Sequence, residues 1–149
     1  MDHEACVVTT GVVYLIDKSA LARMPHPAVQ RALEPLMLDR TLAVCEVTQL
    51  EVLYSARDLK GHQRDARYLR EGFRLLSITH KEVGPRALEV QAMLAGRSHT
   101  RAAGPGDLLI AACAELHQAT ILHYDRYFDV ISEVTGQPAL WVVPPGSIP

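Results

Sequence analysis

Short apolar runs alternate with longer amphipathic stretches along most of the chain. The run GVVYLI at residues 11–16 is brief and rich in β-branched residues, which suits a strand buried on both faces. SALARM then turns to helix formers and stops at Pro25 and Pro27. AVQRALEPLMLDR is helix-like, with Pro35 expected to divide or kink it. TLAVCEV reads as a second strand. TQLEVLYSARDL carries apolar residues at Leu50, Leu53, Tyr54 and Ala56, which predicts a helix that buries this face. HQRDARYLREGFRLL continues helically, with Gly61 as the expected break. LLSI predicts a short strand. HKEVGPRALEVQAMLAG predicts a helix opened by Thr79, with Glu82 completing a capping-box pattern, although Gly84-Pro85 weakens its first turn. RSHTRAAGPG is the longest loop-like stretch. DLLIAACAELHQA is the cleanest helix, TILHY a strand, DRYFDVISEVTG a short irregular helix, and ALWVV a last strand with Trp141 in its core. The tail PPGSIP, residues 144–149, continues neither structure.

Strands alternating with helices predict an α/β fold with a mainly parallel sheet. No internal repeat or linker interrupts the pattern, and 149 residues suit one domain with one real core. Apolar residues make up 48% and charged ones 21%, as in a soluble globular chain. A net charge of -2 excludes a polybasic nucleic-acid binder, so any basic footprint must be local. Cys6, Cys45 and Cys113 are far apart and form no CxxC pair, which points to a reducing, cytoplasmic setting. No apolar run is long enough to span a bilayer, and MDHEACVVTT lacks the features of a signal peptide.

The informative chemistry is acidic. In open parallel sheets, ligand sites gather at the carboxyl ends of strands. Asp17 ends the first predicted strand, Asp125 follows TILHY, Asp107 opens the cleanest helix, and Glu51 lies in a helix after a predicted strand. Each also has a purely structural reading. Asp17 and Asp107 suit helix N-caps, Glu51 stands three residues after Thr48 as in a capping box, and Asp125 suits a turn. Taken together they would repel one another unless a cation lay among them. An all-oxygen set without cysteine suits Mg²⁺ or Mn²⁺.

Three segments, in order, carry a family resemblance: YLIDKSAL, VTQLEVLYSA and GDLLIAACAELHQATILHYDRYFDVI, spread over residues 12–136. On these the chain resembles PIN-domain ribonucleases, in particular VapC toxins of toxin–antitoxin systems. The resemblance implies a three-layer PIN-like fold, with a central mainly parallel sheet flanked by helices. It implies a Mg²⁺- or Mn²⁺-dependent endoribonuclease whose in-line hydrolysis leaves a 5′-phosphate and a 3′-hydroxyl. The family's acidic quartet falls on Asp17, Glu51, Asp107 and Asp125, with Glu51 preferred to Glu46. The aspartates are expected as direct ligands, and Glu51 as holding a metal's water or a second ion. Ser19 and Asp129 are expected as polar support. A VapB-type antitoxin is the implied partner, and a homodimer is expected, with helices near the N-terminus as its candidate interface. Residues 1–11 form an extension with no assigned role. Two departures stand out. Lys18 replaces a small polar residue, and Tyr127 stands where many relatives carry another acid.

For RNA, Lys60, Arg64, Arg67 and Arg74 recur at helical spacing, and Arg101 and Lys18 lie nearer the acids. The stripe reads first as a solvated helix face and second as a grip on phosphates. The seven histidines contain no HxxxH or Cys/His cluster, so zinc is disfavoured. His123 shares a strand face with Asp125 and either tunes the site or packs. An aspartyl-nucleophile phosphatase is disfavoured because position 19 is serine, and a receiver-like domain because of HYDRYF. The non-enzyme alternative is a catalytically weak or degenerate PIN-fold module that binds RNA or protein.

Overall fold

The three apolar residues Tyr14–Ile16 form β1, and all three side chains are buried. Strands buried on both faces belong in the middle of a parallel sheet, and β1 sits there. It pairs in parallel with β2 (Leu42–Val44) on one side and with β4 (Thr120–His123) on the other. β3 (Arg74–Leu75) and β5 (Ala139–Trp141) extend the edges, giving the order β3-β2-β1-β4-β5. Every pairing is parallel, more uniform than the mainly parallel sheet expected. The computed structural model describes residues 11–99 and 101–149. The expected extension lies, but for Gly11, outside them.

Alternation along the strands sends side chains to two cores. Tyr14 and Ile16 pack with α2 (Pro27–Leu38) and α4 (Leu59–Gly72). Leu15 packs on the other face with α5 (Val83–Gly96), α6 (Pro105–Leu116) and α7 (Tyr127–Thr135). The result is helix–sheet–helix layering. The short α1 (Lys18–Leu21) and α3 (Glu46–Tyr54) follow β1 and β2 directly and start at the sheet's carboxyl end. Among the described residues, no helix is long and apolar enough to cross a membrane.

Several local expectations are corrected. Pro35 does not divide α2, which runs unbroken from Pro27 to Leu38. The break expected at Gly61 falls earlier. Asp58 caps α4, its carboxylate accepting from the Gly61 N–H at 2.7 Å, so this glycine lies inside the first turn. The Thr79–Glu82 capping box does not form. The Thr79 hydroxyl contacts the Ser77 hydroxyl at 2.8 Å, and the helix starts only at Val83. Arg74 lies in β3 and not on the helical stripe. The face expected for α3 is only partly right: Leu53 packs against the core, but Leu50 is 68% and Tyr54 89% exposed. The inward stripe is instead Val47, Thr48, Glu51 and Val52, which share a face at helical spacing. Replacing Asp58 by alanine removes the α4 cap. We expect this to lower the unfolding free energy by about 1 kcal/mol, with an unchanged m-value in urea denaturation.

Candidate active site at the carboxyl end of the sheet

The strand order reverses between β1 and β4, because the chain winds outward through β2 and β3 before returning to β4. Such a switch point opens a crevice beyond the carboxyl ends of the two strands. Asp17 follows β1 directly. Its N–H donates to the Leu122 carbonyl at 2.9 Å, which binds the first residue after β1 to β4. Its carboxylate accepts from the Ser19 N–H at 2.9 Å and so caps α1. The side chain is nonetheless deep, with only 4% of the residue exposed.

The other acids arrive from separate elements. Asp107 sits in the first turn of α6, where its carboxylate accepts from the Gly104 N–H at 3.3 Å. Asp125 follows β4 and accepts from the Tyr127 N–H at 3.0 Å. Glu51 reaches in from α3 and lies against the start of α6. A Cβ on Gly106 would meet Glu51 Oε1 at 2.9 Å and Val47 Cγ1 at 3.4 Å, so a side chain there would push the Glu51 carboxylate from its place. Gly106 is not among the expected site residues, although the Pro-Gly-Asp run marks it in the sequence. The Thr48–Glu51 capping box does not exist, because the Thr48 hydroxyl donates to the Ile16 carbonyl at 3.4 Å.

Electrostatics tie these acids together. Burial raises the pKa of Asp17; hydrogen bonds from Ser19 pull it down, while the charge of Asp125 adds to the rise. Burial, then the charges of Asp17 and Asp107, raise Glu51, with Lys18 opposing. Burial and the charges of Asp17 and Asp125 push Asp107 up to about 6, against the Gly104 hydrogen bond. Lys18 therefore acts on the acid cluster, as its place in the sequence implied. The cap reading of Asp17 and the turn reading of Asp125 are also correct, whereas Asp107 is not the N-cap of α6: Gly104 holds that position, and Asp107, in the first turn, receives its N–H. The same carboxylates cap or turn the backbone with one oxygen and repel each other across the crevice. Among the described residues, no three His, Cys, Asp or Glu side chains stand arranged to chelate an ion. The chemistry of these side chains fits a hard divalent cation: all four offer oxygen, and each added charge penalises the next.

The supporting residues divide sharply. Ser19 Oγ accepts from the Tyr124 N–H at 2.9 Å and so clamps α1 to the end of β4. Asp129 accepts both of its hydrogen bonds from the Trp141 indole, at 3.0 and 3.2 Å. Trp141 is half-buried, less deep than the core position expected of it. Glu46 is committed elsewhere, accepting from the Ser77 hydroxyl at 2.5 Å and the Ile78 N–H at 2.8 Å. Burial works against its charge, but these hydrogen bonds hold its pKa below the usual range. His123 is fully buried, and burial lowers its pKa to about 4 despite the nearby Asp129 and Asp125. Lys60, Arg64 and Arg67 are exposed on α4, but Arg64 pairs with Asp65 at 3.1 Å and Arg67 with Glu71 at 2.9 Å. Arg101 is exposed in the turn before α6. The half-buried His117 contacts the Ser77 carbonyl at 3.0 Å, and the buried Cys113 thiol donates to the Leu76 carbonyl at 3.3 Å.

The PIN domain family model matches residues 12–134. This chain belongs to the PIN domain family. It is 46% identical over 135 residues to ribonuclease VapC51 of Mycobacterium tuberculosis, covering 91% of this chain and 96% of that protein. Ribonuclease VapC21 of the same species is 42% identical over 134 residues, covering 90% of this chain and 96% of its own. The fold matches VapBC2 from Rickettsia felis, bound there to a promoter DNA fragment, with a TM-score of 0.72 at 15% identity over 87% of this chain and 98% of that one. It also matches VapBC-1 from nontypeable Haemophilus influenzae, with a TM-score of 0.69 at 17% identity over 87% of this chain and 96% of that one. The expected PIN-like fold is thus correct.

The crowding of acids has a measurable consequence. A carboxylate whose folded pKa is raised binds its proton more tightly in the folded state. Its stabilising contribution is present below the unfolded value and is lost as pH rises through the folded one. For Asp107 that window runs from about 4 to about 6. Asp107→Asn keeps an acceptor for Gly104 and removes the charge. We expect it to stabilise the fold at pH 7.5 by about 1 kcal/mol after allowance for solvent screening, and to gain nothing at pH near 4. Thermal unfolding at the two pH values checks this.

Proposed function

We propose that this chain is a divalent-metal-dependent endoribonuclease and the toxin of a toxin–antitoxin pair. The observation that carries the reading is the electrostatic coupling of acids from four separate segments at the sheet's switch point. The high identity to proteins named ribonuclease VapC supports it independently. Asp17, Asp107 and Asp125 would hold Mg²⁺ or Mn²⁺ directly, and Glu51 would support it from α3. The ion, when bound, lowers the pKa of a water and neutralises charge on a phosphodiester.

The residues contribute in distinct ways. Asp17 is deep and fixed by Ser19, so it sets the floor of the site. Ser19 and the Tyr124 N–H hold the two strand ends together. Lys18 stands beside Glu51, where an incoming phosphate would find a cation. Arg101 offers a second phosphate contact on the loop before α6. The α4 stripe is a weaker candidate, because two of its arginines already pair with acids on their own helix. We place the antitoxin on the exposed apolar side chains Leu50, Tyr54 and Leu59, since uncovered residues of this kind on neighbouring helices suit an amphipathic partner. A degenerate binding module is not favoured, because all four acids are present and their charges act on one another.

Cleavage of purified total RNA with Mg²⁺ or Mn²⁺ tests the proposal. Asp17→Asn is expected to keep the fold and to lose about 100-fold or more of the cleavage rate. Equal cutting by both proteins would remove the assignment. The partner surface has its own test in a growth assay with the antitoxin co-expressed. The double variant Leu50→Asp, Tyr54→Asp is expected to keep RNA cleavage but to arrest growth that the wild-type pair permits.

A further inference from the structure

A fully buried imidazole directly behind the acid cluster has no role in the reading above. His123 ends β4 with none of its surface exposed, packed between the rings of Phe128 and Trp141 at centroid distances of 5.2 and 5.0 Å. An apolar residue would fill this space at lower cost, because burying a polar ring with an unmet N–H is expensive. Nε2 has no hydrogen-bond partner among the described residues, and the nearest acid oxygen, Asp129 Oδ1, stands 3.8 Å away. The return for that cost lies at the other nitrogen. Nδ1 accepts from the Asp125 N–H at 3.1 Å, which places the ring proton on Nε2, facing Asp129.

The backbone at the end of β4 is pinned at successive points. Leu122 O accepts the Asp17 N–H, Tyr124 N–H goes to Ser19 Oγ, and His123 O accepts the Val142 N–H at 2.8 Å. Asp125 is the next N–H along, beyond the last strand residue, and only the His123 side chain receives it. The ring is held in turn by its packing between Phe128 and Trp141, and the Trp141 indole is itself fixed by both of its hydrogen bonds to Asp129.

We propose that His123 is a positioning residue for Asp125: its Nδ1 fixes the backbone of the β4–α7 turn so that the Asp125 carboxylate faces Asp17 and Asp107, and packing between Phe128 and Trp141 holds the ring in that orientation. This rests on the metal-site reading above. Outer partners that orient a ligand change metal affinity by about 10–100-fold when lost.

The test reads Mn²⁺ binding by titration calorimetry on the full chain, without RNA. His123→Phe keeps the ring packing and removes the acceptor; it is expected to weaken Mn²⁺ binding about 10–100-fold. His123→Asn, which restores an acceptor near the Nδ1 position, is expected to recover most of that loss. In an Asp125→Asn background, His123→Phe should cost nothing further, because its effect runs through Asp125. In the wild-type protein, NMR should detect a scalar coupling across the N–H···N bond from Asp125 to His123 and a proton on Nε2. That measurement decides the matter even if the variants fail to fold. Absence of the coupling, failure of His123→Asn to recover binding, or a loss additive with Asp125→Asn would overturn the inference. If wild type and Asp17→Asn bind Mn²⁺ equally, the metal-site reading itself falls and takes this inference with it.

Discussion

Everything at the functional end of this protein follows from bringing like charges together where water is scarce. A carboxylate on its own at a helix start is cheap, since backbone N–H groups receive it. Four such groups facing one crevice are not cheap, because burial and mutual repulsion both favour the neutral form. The molecule accepts that cost at Asp17, Glu51 and Asp107, all of which hold their protons more tightly than free acids do. A protein under selection for stability alone would have no reason to assemble such a group.

The parallel sheet makes the assembly possible. Its winding puts the ends of β1 and β4 side by side, although more than one hundred residues separate Asp17 from Asp125 in the chain. The two strand ends are tied by hydrogen bonds between Asp17 and Leu122 and between Tyr124 and Ser19. Helix caps then do double duty. The bonds that start α1 and α6 also aim their acids, so the local structural role and the functional one are the same geometry seen from two sides. Gly106 supplies the last requirement, since a side chain there would displace Glu51.

On the proposed function, a negative crevice on a chain of net charge -2 must still meet an anionic substrate. The cations near the crevice are Lys18, beside Glu51, and Arg101, on the loop before α6. The more numerous α4 arginines are partly engaged along their own helix. Such exposed pairs are weak and open readily, so they contribute little to stability and do not bar contact with a phosphate.

The order of strands and helices was legible from hydrophobic patterning, because short β-branched runs and helical periods survive in any environment. The four acids were legible as candidates because strand ends and helix starts can be located along the chain. Their convergence was not, since each had an adequate local explanation. Finer points also needed the fold. The apolar residues Leu50 and Tyr54 predicted the buried face of α3, yet the packed stripe carries Glu51, because contact with α6 outweighs periodicity. Glu46 and Glu51 are five residues apart on one helix, and only tertiary contacts separate them: Glu46 is taken up by Ser77 and Ile78, whereas Glu51 feels the charges of Asp17 and Asp107. Sequence alone thus determined which elements form and which residues could carry charge, because those properties are local. Tertiary structure decided which charges share a crevice, because repulsion depends on distances through space that chain position does not encode.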